Sequence, residues 1–401
     1  MQAMSSLQTV LLQQQAAVKL LLGVLVISAA TFVVAAAKPN SSCNRRCGSL
    51  DIPYPFGTSE GCYLDSSFLI TCNSSSSSET SNPTPFLGIG NITVLNISLD
   101  GELRVSSPIA RYCPNENYVL RVSLFSKAFP ISYTKNVFTA IGCNTLGVIG
   151  SVASDKNYRT GCMSLCDNID DMVNGSCSGV GCCQTPIPDG IKDFTISFGS
   201  FDNFFTVSEF NPCGFAFVVE KKEYNFSTLD FQNMQNKDAF SLMLDWAIGN
   251  HTCEDAKKDL TGYACKADNS ECYNSTNGLG YRCNCSSGYH GNPYLSGGCQ
   301  DIDECETLNH GCTVNACVNH VGSYGCSCPK GYEGDGSRDG NGCSPKRSNY
   351  RNIVIALGIG MSLLVLLLGG LVLLGLKRRK HLKLEEQYFQ QNSGSVDMTT
   401  R

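Results

Sequence analysis

The sequence predicts a disulfide-rich, mainly β ectodomain with small β-hairpin modules, carried on a single transmembrane α-helix in type I orientation. Three observations predict it. The 401-residue chain holds 24 cysteines in three even groups: twelve from Cys43 to Cys213, six from Cys253 to Cys299 and six from Cys305 to Cys343. Apolar residues in the first group recur with period two rather than 3.6. An uncharged apolar run of 24 residues, Ile353 to Leu376, is followed at once by the basic cluster Lys377 to Lys380.

The cysteines place the chain in an oxidising compartment, where disulfides replace part of the hydrophobic core of small domains. A zinc protein is disfavoured. No C-x-x-C pair occurs, and His251, His290, His310, His320 and His381 show no ligand spacing. Even counts within each segment predict three self-contained disulfide sets.

Two apolar stretches set the topology. Lys19 precedes Leu20–Ala37, whose end reads A-x-A at Ala35 and Ala37, so residues 1–37 read as a cleavable signal peptide. The 24 residues of 353–376 suffice to cross a hydrocarbon core of about 30 Å at 1.5 Å per residue. Dense positive charge stays cytoplasmic. Residues 38–352 are therefore expected outside and 377–401 inside, with 344–352 a juxtamembrane linker. The pairs Ala356/Gly360 and Gly358/Ser362 would let two such helices approach closely, one route to self-association, although glycine is common in membrane helices in any case. Nine N-x-S/T sequons, at Asn40, Asn73, Asn91, Asn96, Asn174, Asn225, Asn250, Asn274 and Asn284, all lie on the predicted outer side and predict a glycoprotein.

Within the first cysteine group, Leu95, Ile97 and Leu99 alternate with Asn96 and Ser98, and Asp100-Gly101 supplies a hairpin turn. Leu95 is expected on the apolar face and Asn96 on the polar one. Phe194–Phe198 and Gly214–Glu220 read as strands. Lys237–Gly249 is the one stretch with competing helical character. Thr71–Pro85, rich in serine, reads as a polar loop.

The run C-N-R-R-C-G-S-L-D-I-P-Y-P-F-G (Cys43–Gly57), with Cys62 and Cys72, resembles the galacturonan-binding domain of plant wall-associated receptor kinases. Cys177–Pro188, Asn211–Glu220 and Leu244–Gly249 are similar to the cysteine-rich region that follows it in that family. The resemblance implies a galacturonan-binding domain at 38–145 and a cysteine-rich region at 146–250. It also implies pectin or oligogalacturonides as ligand, and a plasma-membrane protein whose ectodomain faces the cell wall. Charge counting complicates a polyanionic ligand. Residues 38–130 hold seven basic and seven acidic side chains, 131–250 seven and thirteen, and 253–343 six and twelve. Only a local basic patch would attract such a chain. The candidates are Lys38, Arg45 and Arg46 beside the first cysteines, joined by Arg104 and Arg111, since an arginine fork can grip a carboxylate. Calcium bridging between acidic protein and acidic pectin is the other route.

The third group opens on D-I-D-E-C and has a C-x-C between its fourth and fifth cysteines, followed by P-K-G-Y-E-G-D-G. It resembles a calcium-binding epidermal-growth-factor-like module over 301–343. The second group resembles a preceding module of the same type over 251–300, without the acidic run and so without expected calcium. Spacing leaves the connectivity open. The resemblance implies Cys253–Cys272, Cys265–Cys283, Cys285–Cys299, Cys305–Cys317, Cys312–Cys326 and Cys328–Cys343. It also implies calcium held by Asp301, Glu304 and Asn319, with carbonyls of Ile302, His320 and Ser323, and aromatic packing by Tyr324. Calcium is hard and takes six to eight oxygens, so two carboxylates and an amide need that help. Calcium between the modules would stiffen them into a short rod.

Family members carry a serine/threonine kinase after the membrane helix. The stretch Lys383–Gly394 resembles the segment preceding it. The 25 residues after Leu376 contain no glycine-rich loop, V-A-I-K, H-R-D or D-F-G. No H-E-x-x-H or P-loop occurs elsewhere. No enzymatic output is expected from this chain. It reads as a cell-surface receptor-like protein that binds wall pectin and calcium. The alternative is a co-receptor or decoy that engages full-length receptor kinases through its epidermal-growth-factor-like modules.

Overall fold

A computed structural model describes residues 43–73, 82–114, 118–151, 157–307, 310–346 and 350–393. The signal-peptide segment 1–37, Lys38 and Asn40 lie outside them. The chain divides into two bodies, one ending at Ile302 and one beginning at Asp303.

The first body is built around a six-stranded antiparallel sheet. Its strand order is Ser178–Val180, Cys182–Thr185, Asn136–Ile141, Gly214–Glu220, Ala110–Cys113, Tyr118–Leu120. Every residue of Asn136–Ile141 and Gly214–Glu220 is buried. Alternate side chains feed opposite cores, which is why these strands read as continuous apolar runs. Phe138, Ala140, Ala216 and Val218 face one core; Val137, Ile141, Phe215, Phe217 and Val219 face the other. A four-stranded sheet, ordered Tyr158–Ser164, Thr145–Ser151, Asp193–Ser200, Val122–Phe125, sends Ile149, Ile196, Val122 and Leu124 into the first core. Its Gly147 permits the approach of the two sheets, because a Cβ there would lie 2.7 Å from the Ala140 Cβ.

A third sheet orders Ala239–Asp245, Glu102–Pro108 and Val94–Ile97. Two expectations are corrected here. The stretch with helical character forms the strand Ala239–Asp245, paired over seven residues with Glu102–Pro108. Phe240, Leu242 and Leu244 alternate into the cores, and Trp246 follows fully buried, so tertiary pairing overrides local preference. Leu95 is 46% exposed, because the register shifts between Val94 and Asn96 and the bulge turns Leu95 outward. Ser98–Gly101 closes the hairpin, with Gly101 at φ +95°. The serine-rich stretch is strand at both ends, Ile70–Asn73 pairing with Thr84–Leu87; residues 74–81 lie outside the described residues.

The segments 38–145 and 146–250 are interleaved. Strands on either side of position 145 pair in all three sheets, and Cys113–Cys213 and Cys143–Cys166 cross it. Position 145 therefore does not separate two folding bodies. The remaining bridges of the first group are Cys43–Cys62, Cys47–Cys72, Cys162–Cys183 and Cys177–Cys182.

The first small module is also built into this body. Cys265, Tyr281, Cys283 and Tyr294 belong to the first core. Tyr294 and Phe56 lie 5.7 and 5.4 Å from the Trp246 ring. Arg282 donates from Nε to the Trp246 carbonyl at 2.7 Å and lies over Gly101, where any side chain would collide with the guanidinium. Asn277 accepts from the Gly190 N–H at 2.8 Å and donates to the Ile131 carbonyl and the Asp245 carboxylate. The first module thus docks into the N-terminal domain and shares its core.

In the second body, the hairpin Cys317–His320/Ser323–Cys326 and the short pair Tyr332–Glu333/Ser344–Pro345 are stapled by three disulfides. The helix Tyr350–Ser393 contains the uncharged run 353–376, whose large apolar side chains are all exposed. Among the described residues it is the one helix long and apolar enough to cross a membrane.

Candidate ligand and calcium sites

The calcium candidates fall in both bodies. Asp301 ends the strand Cys299–Asp301, paired with Tyr289, and the Ile302 N–H donates to the Gly288 carbonyl at 2.9 Å. Glu304, Asn319, His320 and Ser323 belong to the second body. There the hairpin register sets Asn319 opposite Tyr324 and His320 opposite Ser323, with Gly322 at φ +80° making the turn. The Tyr324 hydroxyl accepts the Gly311 N–H at 3.1 Å and ties the hairpin to the preceding loop. Asp303 is used locally, accepting the Cys305 N–H at 3.0 Å.

One observation tests calcium directly. The Glu304 Oε2 atom is shielded from solvent and has no hydrogen-bond partner among the described residues. A shielded carboxylate oxygen without a partner is costly, and a hard cation satisfies it. The donor set is all oxygen, so the residues fit calcium. His310 lies close to the sulfurs of Cys312 and Cys317, but both sulfurs are in disulfides and offer no thiolate for zinc.

The arginine candidates are not brought together. Arg104 forms a two-pronged ion pair with the buried Glu220, with contacts of 2.7 and 2.9 Å. The Glu220 hydrogen bond holds its pKa above the ordinary arginine value. Arg111 donates to the carbonyls of Met234 and Gln235 and lies 5.5 Å from the Phe215 ring centroid. Arg46 pairs with Asp51 at 2.8 Å on the exposed first hairpin. Arg45 is exposed and makes no ion pair among the described residues. The charges of Arg104 and Arg111 are already compensated within the fold, which leaves Arg45 and Arg46 as the outward cations of that set.

Sequence reasoning did not find a cleft of about 710 Å³ in the first body. Its walls are the 3-10 turn Ser66–Phe68, the loop Leu87–Ile92, the end of Glu102–Pro108, and the strand Val122–Phe125 with Ser126–Ala128 beyond it. Ser66, Ser67, Ser106, Ser123 and Ser126 line it, and among the described residues Lys127 is the only charged one in the lining. The walls meet across some sixty residues of chain, so no local motif announced them. Asn91 stands on the rim, and all eight sequon asparagines among the described residues are exposed.

An exposed helix fit to cross a membrane, a disulfide-stapled β ectodomain and a calcium-type hairpin module together define the class: a membrane-anchored, modular ectodomain protein. Comparison with known proteins gives the particular likeness. Residues 43–107 match the wall-associated receptor kinase galacturonan-binding domain, and residues 301–343 the calcium-binding EGF domain. Wall-associated receptor kinase 2 of Arabidopsis thaliana is 38% identical over 375 residues, covering 90% of this chain and 48% of the relative. Wall-associated receptor kinase 5 is 38% identical over 377 residues, covering 90% and 49%, and wall-associated receptor kinase 1 is 35% identical over 374 residues. Over its ectodomain the chain is homologous to these wall-associated receptor kinases, and it spans about half the length of the curated relatives it matches.

Proposed function

We propose that this chain is a single-pass type I protein of the plasma membrane, its ectodomain binding de-esterified galacturonan of the wall. The observation that supports this most is the galacturonan-binding match over 43–107, a segment that in the fold supplies three walls of a hydroxyl-lined cleft. Calcium is held in the second epidermal-growth-factor-like module by the Glu304 carboxylate and Asn319 amide, with the carbonyls of His320 and Ser323. When bound, the ion neutralises the shielded Glu304 oxygen and stiffens the module. The hairpin itself holds Asn319 and His320 in place through Tyr324.

Calorimetric titration of oligogalacturonides into secreted 38–349, with calcium and with chelator, tests the reading. Saturable heat that survives chelation is the expected result. Heat lost on chelation favours calcium bridging. No heat in either condition overturns galacturonan binding and turns attention to a protein partner. Such a partner finds an apolar footing on the outer face of the four-stranded sheet, where the paired residues Leu146 and Met163 are 39% and 54% exposed. For calcium, Glu304→Gln is expected to weaken binding roughly tenfold, since ligand charge sets affinity in such sites.

A further inference from the structure

The galacturonan reading names a ligand but no place for it. The cleft of the first body has the chemistry of a place. Among the described residues its lining contains five serines, Ser66, Ser67, Ser106, Ser123 and Ser126, one cation and no carboxylate. The segment that supplies the lining, within 38–130, carries seven basic and seven acidic side chains, so the balance of the lining is a local one. The cation, Lys127, is exposed and makes no ion pair among the described residues, in contrast to Arg104, which pairs with Glu220. Apolar shoulders stand on both sides. Ile89 is 95% exposed on the loop wall and Phe125 is 53% exposed on the strand wall. Large apolar side chains held in solvent beside a concave, hydroxyl-lined surface mark a binding site rather than a packing defect.

We propose that this cleft seats a uronate chain, an inference that rests on the galacturonan reading above. The Lys127 ammonium pairs with a ring carboxylate. The serine hydroxyls exchange hydrogen bonds with ring hydroxyls, and Phe125 and Ile89 pack against the C–H faces of the sugar rings. A neutral sugar satisfies the hydroxyls and the apolar shoulders but leaves Lys127 unpaired. The cleft therefore selects de-esterified over methyl-esterified galacturonan. One of its walls, the strand Val122–Phe125 with Lys127, lies outside the segment matched as galacturonan-binding. Residues 43–107 alone make an incomplete site.

The test is calorimetry of oligogalacturonides against the full ectodomain and three variants: Lys127→Glu, Phe125→Ala, and the double change Arg45→Glu/Arg46→Glu. Lys127→Glu is expected to weaken binding about tenfold or more, the loss of one charge-assisted hydrogen bond. Phe125→Ala is expected to weaken it severalfold, and the arginine double variant to bind as wild type. Lys127→Met, which keeps the apolar stem, serves if charge reversal lowers the melting temperature. It is expected to abolish the preference for de-esterified over methyl-esterified ligand. Wild-type affinity and preference in both Lys127 variants, with binding lost in the arginine double variant, would overturn the cleft and leave galacturonan binding standing. No binding by the wild-type ectodomain would remove both.

Discussion

The two epidermal-growth-factor-like modules share one frame and use it differently. Both pair their cysteines first with third, second with fourth and fifth with sixth. Each has a tyrosine two residues before its fourth cysteine. The Tyr281 hydroxyl accepts the N–H of Ala264 at 2.9 Å, and the Tyr324 hydroxyl that of Gly311 at 3.1 Å, in each case the residue just before the second cysteine. The difference lies in what the ring meets. Tyr281 is 3% exposed against the N-terminal core, whereas Tyr324 is 39% exposed. Arg282 follows Tyr281 and reaches the Trp246 carbonyl; the residue that follows Tyr324 is Gly325, which has no side chain to extend. Disulfides fix the local hairpin, and the residues between them decide whether the module is part of a larger core or a unit with its own.

The largest expected effect breaks the first half of that comparison. Trp246→Ala empties a site ringed by Phe56, Phe68 and Tyr294 and should cost about 3–5 kcal/mol. Hydrogen exchange is expected to show residues 253–300 losing protection together with the sheets, while 305–343 keeps its own. Protection retained at 253–300 would mean the first module folds alone. A smaller effect sharpens the second half. Replacing Cys328 and Cys343 by serine opens a closure of 15 residues, worth about 3 kcal/mol. The loss is expected in the second module only, read as proteolysis after Tyr332 with an unchanged melting transition of the first body.

The smallest effect comes from acid. Asp202 accepts hydrogen bonds from the hydroxyls of Thr206 and Ser200 and from Asn144, and these hold its pKa down to about 2. Asp335, in the second module, is lowered by the backbone N–H groups of Asn341 and Ser337. A lowered carboxylate stabilises the fold above its ordinary pKa of 3.8, and that contribution is lost as pH falls toward the folded value. Melting curves between pH 4 and pH 2 should therefore lose less stability in Asp202→Asn for the first body and in Asp335→Asn for the second. Unchanged acid slopes in both variants would remove these carboxylates as local pins.

The sequence alone determined the class of protein: the even cysteine groups, the calcium-type D-x-D-E-C opening, the uncharged membrane run and the exposed sequons. Each is a local pattern, set by spacing along the chain or by a short motif, and local physics enforces it. Tertiary structure alone decided the rest. The helical character of 237–249 yielded to pairing with Glu102–Pro108, and a bulge turned Leu95 outward. Arg104 met Glu220 from 116 residues away, and Asn277 joined the first module to strands far upstream. The cleft drew its walls from segments that no spacing rule connects. Contacts of that kind depend on which apolar faces bury each other, and composition and periodicity identify the faces without naming their partners.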